Sequence, residues 1–233
     1  MLGLLHRLTA RVSFPILEPL ALGVILLPRR RWALILVGML MVLWVPRYCI
    51  PVEEYEVLGD IEGLCIQMIE VLNQAPLVFD EPFDTAGEVA GMPWARVKPA
   101  RYPEWMRALG LAGLFCPWTG EAVADPSAPP GYLPFTCVHE LMHLRGIADE
   151  GTANIEAYKA CLEWGGMYAD SARLWALRYG LGHLDEEGRD RVLRRANDRL
   201  YPFIRISEPG GLRVPRKLSD YDALLGWIAE NPD

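Results

Sequence analysis

Three side chains stand close enough in the sequence to act on one centre. They are His139, Glu140 and His143, within the run Val138-His139-Glu140-Leu141-Met142-His143-Leu144. On a helix, residues four apart face the same way, so both imidazoles can aim at one point. Imidazole nitrogen is a preferred zinc ligand. Glu140, beside His139 on the helix, can reach a water at such a centre without binding the metal itself, which is the position of a general base. Half of the chain's four histidines sit in this HExxH pattern, which a random ordering of the same composition would produce with a probability of roughly 0.005.

A catalytic zinc usually takes three protein ligands and keeps one position open. His6 and His183 have no motif around them and read as surface residues. Downstream carboxylates are the better candidates: Asp149, Glu150 and Glu156. Gly146 ends the helix, and the chain must turn back to carry a second helix past the metal. Glu150 falls in the first turn of that second helix, with Asn154 four residues on and on the same face, placed to hydrogen-bond a ligand from behind. Asp149 is more simply the N-cap. Glu156 is the alternative third ligand, although helical spacing points it elsewhere.

The elements that must position these residues follow from periodicity. Apolar residues at helical spacing predict a helix over about Val52–Asn73, and loop follows over Gln74–Pro93. A short strand is expected at Trp94–Lys98 and a short helix at Glu104–Leu109. One or two strands are expected over Leu111–Val123, where Pro117 implies an edge or a bulge. Further helices are expected at Pro134–Arg145, Asp149–Tyr168, Ser171–Tyr179, Glu186–Leu200 and Asp220–Ala229. The class is α+β with helices dominant.

The N-terminal region differs in kind. Between Val12 and Val45 the only charges are Glu18 and Arg29-Arg30-Arg31, which divide two apolar runs. Leu27-Pro28-Arg29-Arg30 makes a poor cleavage site, so a retained membrane hairpin is expected rather than a signal peptide. Residues 1–48 are read as this anchor and residues 49–233 as a separate domain. The bilayer is thus an expected partner, through residues 12–45. The arginines at the hairpin tip argue for an inner-membrane protein whose domain is extracytoplasmic, with Arg7, Arg11 and Arg47 counting the other way. Residues 49–233 hold 17 basic and 29 acidic side chains, a net charge of −12. So acidic a domain, with no basic stripe and no glycine-rich phosphate loop, excludes nucleic acid as a partner. Five scattered cysteines imply no disulfide framework.

Two resemblances add to this reading. Glu150-Gly151-Thr152-Ala153-Asn154 resembles the ExxAD element that follows HExxH in membrane metallopeptidases of the HtpX type, with Asn154 where the Asp stands. That likeness implies Glu150 as the third zinc ligand. The shorter spacing from His143 is closer to compact gluzincins. The chain also resembles a bacterial family of membrane-anchored HExxH proteins catalogued as domain of unknown function 3810. The likeness rests on Val97-Lys98-Pro99, the stretch Gly113–Ala122, Leu133-Pro134-Phe135-Thr136 and the run His139–Gly146. An acidic residue usual before Ala-Asn in that family is Thr152 here. The resemblance implies a compact zincin-like domain carrying a Zn2+ site.

The expected activity is therefore peptide-bond hydrolysis. Zinc held by His139, His143 and Glu150 would activate water, and Glu140 would act as general base on a peptide or protein substrate. The strand near Gly113–Val123 could pair with extended substrate backbone. Tyr158, Tyr201 and Tyr221 are available as oxyanion donors. The alternative is a non-catalytic, zinc-stabilised membrane scaffold or peptide-binding sensor.

Overall fold

A computed structural model describes residues 60–108, 110–117, 119–204 and 219–231; the side chains of residues 219–221 are outside that description. The expected hairpin within residues 12–45 lies outside the described residues, as does the start of the first expected helix. Among the described residues, no helix is long and apolar enough to cross a membrane.

Helix α1 spans Ile61–Gln74 and begins at Asp60, whose side chain accepts from the Gly63 amide at 2.8 Å. It buries Leu64, Cys65, Met68, Ile69 and Leu72, the stripe that the periodicity predicts. The stretch read as loop contains a one-turn helix, α2 (Ala86–Val89). Strand β1 (Val97–Pro99) is shorter and later than expected. Helix α3 (Pro103–Ala108) follows, then β2 (Gly113–Cys116) and β3 (Glu121–Ala124).

The sheet order is β1-β3-β2. β1 runs parallel to β3, pairing Val97 with Ala122, whereas β2 runs antiparallel, pairing Gly113 with Ala124 and Phe115 with Ala122. β3 is the central strand, and all four of its residues are buried. Its Glu121 carboxylate is 2.8 Å from Lys98 Nζ and accepts from Thr119 Oγ1 at 3.1 Å, so the buried charge is paired and hydrogen-bonded. β2 lies at an edge, and Pro117 falls just past it, where no ladder donor is needed.

Helix α4 (Leu133–Arg145) is the centre of the fold. Eleven of its thirteen residues are buried, so it is a core helix apolar around most of its circumference, not an amphipathic surface helix. It packs against all three strands and against α2, α5 (Glu150–Trp164) and α6 (Gly166–His183). Gly146 closes α4 at φ +110°, a left-handed conformation that suits glycine, and the Ile147 amide returns to the Met142 carbonyl at 3.2 Å.

The one helix expected over Asp149–Tyr168 is two. Gly165 and Gly166 stand at φ +81° and +55°, which ends α5 and redirects the chain into α6. α6 then absorbs the separate helix expected at Ser171–Tyr179. The helix expected to reach Leu200 stops early, as α7 (Glu186–Leu193), followed by the single turn α8 (Tyr201–Ile204). Helix α9 (Ser219–Glu230) packs on α5 and α6, with Trp227 edge-on to Tyr158 at 6.2 Å between ring centroids.

Candidate metal centre

The sharp turn after α4 brings the first residue of α5 back across the histidine face. Asp149 caps α5, its side chain accepting from the Thr152 amide at 2.6 Å, and this fixes Glu150 at the start of the helix. His139 Nε2 lies 3.1 Å from Glu150 Oε2, and His143 Nε2 lies 3.4 Å from Glu150 Oε1. The two Nε2 atoms are 3.1 Å apart. One donor atom from each residue therefore falls within 4.8 Å of the other two.

Three features hold the imidazoles in this pose. His143 Nδ1 donates to the Ile147 carbonyl at 2.8 Å, so its Nε2 points into the cluster. Phe115 of β2 lies against the His143 ring at 6.3 Å and 22°, and Phe135 packs beside His139 at 6.3 Å. His139 Nδ1 is buried and has no hydrogen-bond partner among the described residues, and neither does the amide of Asn154, which is wholly buried on the Glu150 face of α5. One buried and one part-buried imidazole with a carboxylate form the N/O donor set that zinc accepts, so these residues fit such an ion.

Charge within the cluster is mutually supporting. Burial raises the Glu150 carboxyl, but hydrogen bonds and charge from His139 and His143 outweigh it and hold the group well below the usual carboxylate range. Burial lowers His143, yet its bond to Glu150, the charges of Glu140 and Glu150, and the Ile147 carbonyl carry it up to about 9.

Glu140 is set apart from the three converging groups. It is 6% exposed and rests against the backbone of β2. A Cβ on Gly113 would overlap Glu140 Oε1 and lie 2.7 Å from its Cγ and 2.8 Å from its Cδ. Only glycine leaves room for that carboxyl. Desolvation there pushes Glu140 up to about 7, opposed by His139 and His143 and reinforced by Glu150.

Several sequence candidates fall elsewhere. Glu156 is on another face of α5, 2.8 Å from Lys159 Nζ, and takes no part in the cluster. His183 ends α6 and is exposed, the surface residue expected, with Nε2 2.9 Å from Asp222 Oδ1 of α9, so it also links two helices. Tyr158 is buried against Trp227, and Tyr201 is exposed on α8. The side chain of Tyr221 lies outside the described residues. Gly113 and Phe115 contact the site without having been singled out as site residues by motif or spacing. Their alternation along one strand is the signal that could have paired them.

No curated protein and no solved structure matches the chain. The family model described as "Protein of unknown function (DUF3810)" matches residues 73–203, more than half of the sequence and a span that contains the whole cluster, and the protein belongs to that family.

Proposed function

We propose that the protein is a membrane-anchored, zinc-dependent peptidase of the gluzincin kind. In this reading residues 1–48 form the anchor and residues 49–233 a zincin-like catalytic domain. One observation carries the reading: His139, His143 and Glu150 converge while Glu140 is held beside them in a niche against an edge strand. His139, His143 and Glu150 would hold the metal, which supplies Lewis acidity toward water and a peptide carbonyl. Asn154, buried one turn on from Glu150 with its amide unpartnered among the described residues, would hydrogen-bond a ligand from behind.

The chain's own residues divide the remaining work. Glu140, held near neutrality by its burial, suits a group that accepts a proton from water at its carboxylate and returns it to the leaving amine. β2 presents an edge beside Glu140, where extended substrate backbone can add as a further strand. The niche around Glu140 favours catalysis over a scaffolding role, because a purely structural zinc site has no use for a confined carboxyl beside its ligands.

The test is Glu140→Gln in the full chain. Metal content should stay at the wild-type level while cleavage of casein falls by about 10²–10⁴-fold, and a chelator should abolish the wild-type activity. Undiminished cleavage by the variant rules the mechanism out.

A further inference from the structure

The ladder between β2 and β3 has a definite phase. The Asp125 amide donates to the Ala112 carbonyl at 2.9 Å, and Gly113 lies opposite Ala124. Hydrogen-bonded and non-hydrogen-bonded pairs alternate along an antiparallel ladder. Leu114 is therefore bonded to Val123, whereas Gly113 and Phe115 turn their N–H and C=O groups away from β3. β2 has no second neighbouring strand among the described residues, so these groups face the open edge.

The same two residues lie on the cluster. Gly113 rests against Glu140, and the Phe115 ring lies along His143 at 6.3 Å. Backbone bonding at this edge is thus in register with the candidate base and one candidate ligand. Neither residue offers a side chain that an added strand could read: Gly113 has none, and Phe115 is 6% exposed with its ring against His143.

Alternation sends Leu114 to the opposite face of the sheet, where it is half-buried. Its cross-strand neighbour there is Val123, itself buried, and beyond Val123 lies Lys98, already paired with Glu121 at 2.8 Å. What β2 presents on this face beside the open edge is hydrocarbon.

We propose that Leu114 is a specificity-determining residue: a polypeptide that adds to β2 through Gly113 and Phe115 places one side chain beside Leu114, and that side chain is apolar. The inference rests on the peptidase reading, because it needs a substrate that passes Glu140 in extended form. A strand added in either direction sets one residue directly opposite Leu114. Cross-strand pairing favours an apolar residue there over a charged one by about two- to fivefold in kcat/KM. The substrate class is an extended segment with an apolar residue at one fixed distance from the cleaved bond.

The full chain, loaded with zinc, is given end-blocked decapeptides of randomised sequence, and the cleaved bonds are read by mass spectrometry. Wild type should enrich Leu, Ile, Val or Phe about two- to fivefold at one position. Leu114→Lys should move the preference at that position alone to Asp and Glu. Leu114→Thr, which keeps a strand-forming residue, should erase it. A second readout needs no turnover: in a Glu140→Gln chain, fluorescence anisotropy should show Leu114→Lys weakening an apolar decapeptide and tightening its acidic counterpart by a similar factor.

Cleavage with one unchanged profile in wild type and both variants overturns the role of Leu114 and leaves the peptidase standing. A profile that changes at several positions together marks a disturbed strand and overturns it too. No cleavage by the zinc-loaded wild type removes the peptidase reading and this inference with it.

Discussion

Gly113→Ala is the sharpest perturbation of the Glu140 niche. A methyl there would sit 2.7 Å from Glu140 Cγ, against an ordinary contact of about 3.4 Å, so Cγ must retreat by about 0.7 Å. Rotating the carboxylate alone does not relieve this, because Cγ and Cδ are both in the way. Either χ1 and χ2 of Glu140 leave their wells, or β2 moves off α4. Overpacking of this kind costs about 1–3 kcal/mol, and the intrinsic gain from replacing a strand glycine, about 0.5–1 kcal/mol, offsets part of it. The net expectation is a loss of about 1–2 kcal/mol.

The control is the same substitution in a Glu140→Ala background, where the clash has no partner. There Gly113→Ala should be neutral or stabilising, giving a coupling energy of about 1–3 kcal/mol in a double-mutant cycle measured by denaturant unfolding. If glycine and glutamate prove additive, the niche is not what holds Glu140. Under the peptidase reading, a displacement of this size should also lower kcat by about 10- to 100-fold, with metal content unchanged.

Other outcomes follow from the same geometry. Zinc measured by mass spectrometry should be about one per chain in wild type, sharply reduced in Glu150→Ala and unchanged in Glu156→Ala; full zinc in the first variant would move the third ligand elsewhere. Asp170 is 6% exposed with Oδ2 unpartnered, and burial raises its carboxyl despite Arg173 and a backbone bond to Leu77. Ionising it therefore opposes folding: this part of the stability is complete below the unfolded carboxylate pKa and lost as pH rises through the higher folded value. Asp170→Asn should accordingly raise Tm at pH 8, by a margin that narrows toward pH 4; a margin independent of pH would refute this. Burial pushes the Cys65 thiol up to about 12, and carries Cys137 and Cys161 well above their ordinary value. All three should resist a thiol reagent at pH 8 until denaturant is added, as followed by mass shift; labelling in the folded protein would mean an open core.

How far the sequence can be read depends on the distance over which each feature is decided. The cluster is local: i,i+4 spacing fixes His139 and His143, a glycine stop forces the turn, and a capped helix start places Glu150 eleven residues on from His139. The split between α5 and α6 is also local, yet it hides, because Gly165-Gly166 interrupts an otherwise continuous helical composition. Helix α4 carries its histidines in a mostly apolar run, and only packing shows that nearly its whole circumference is covered. The niche at Gly113 depends on a strand 27 residues upstream of Glu140, and no spacing rule relates the two.

The helix that bears Glu150 leans on the last described helix of the chain. Trp227 of α9 packs on Tyr158, and Lys159 Nζ stands over the same indole at 5.1 Å. A ribosome delivers α4 and α5 well before that support, since α9 begins more than fifty residues after α5 ends. During synthesis the histidine pair thus exists before the element that steadies its carboxylate partner. A nascent chain stalled short of α9 would carry every residue of the cluster, with its caps and turns, but without the indole that packs on Tyr158 and Lys159 of the Glu150 helix.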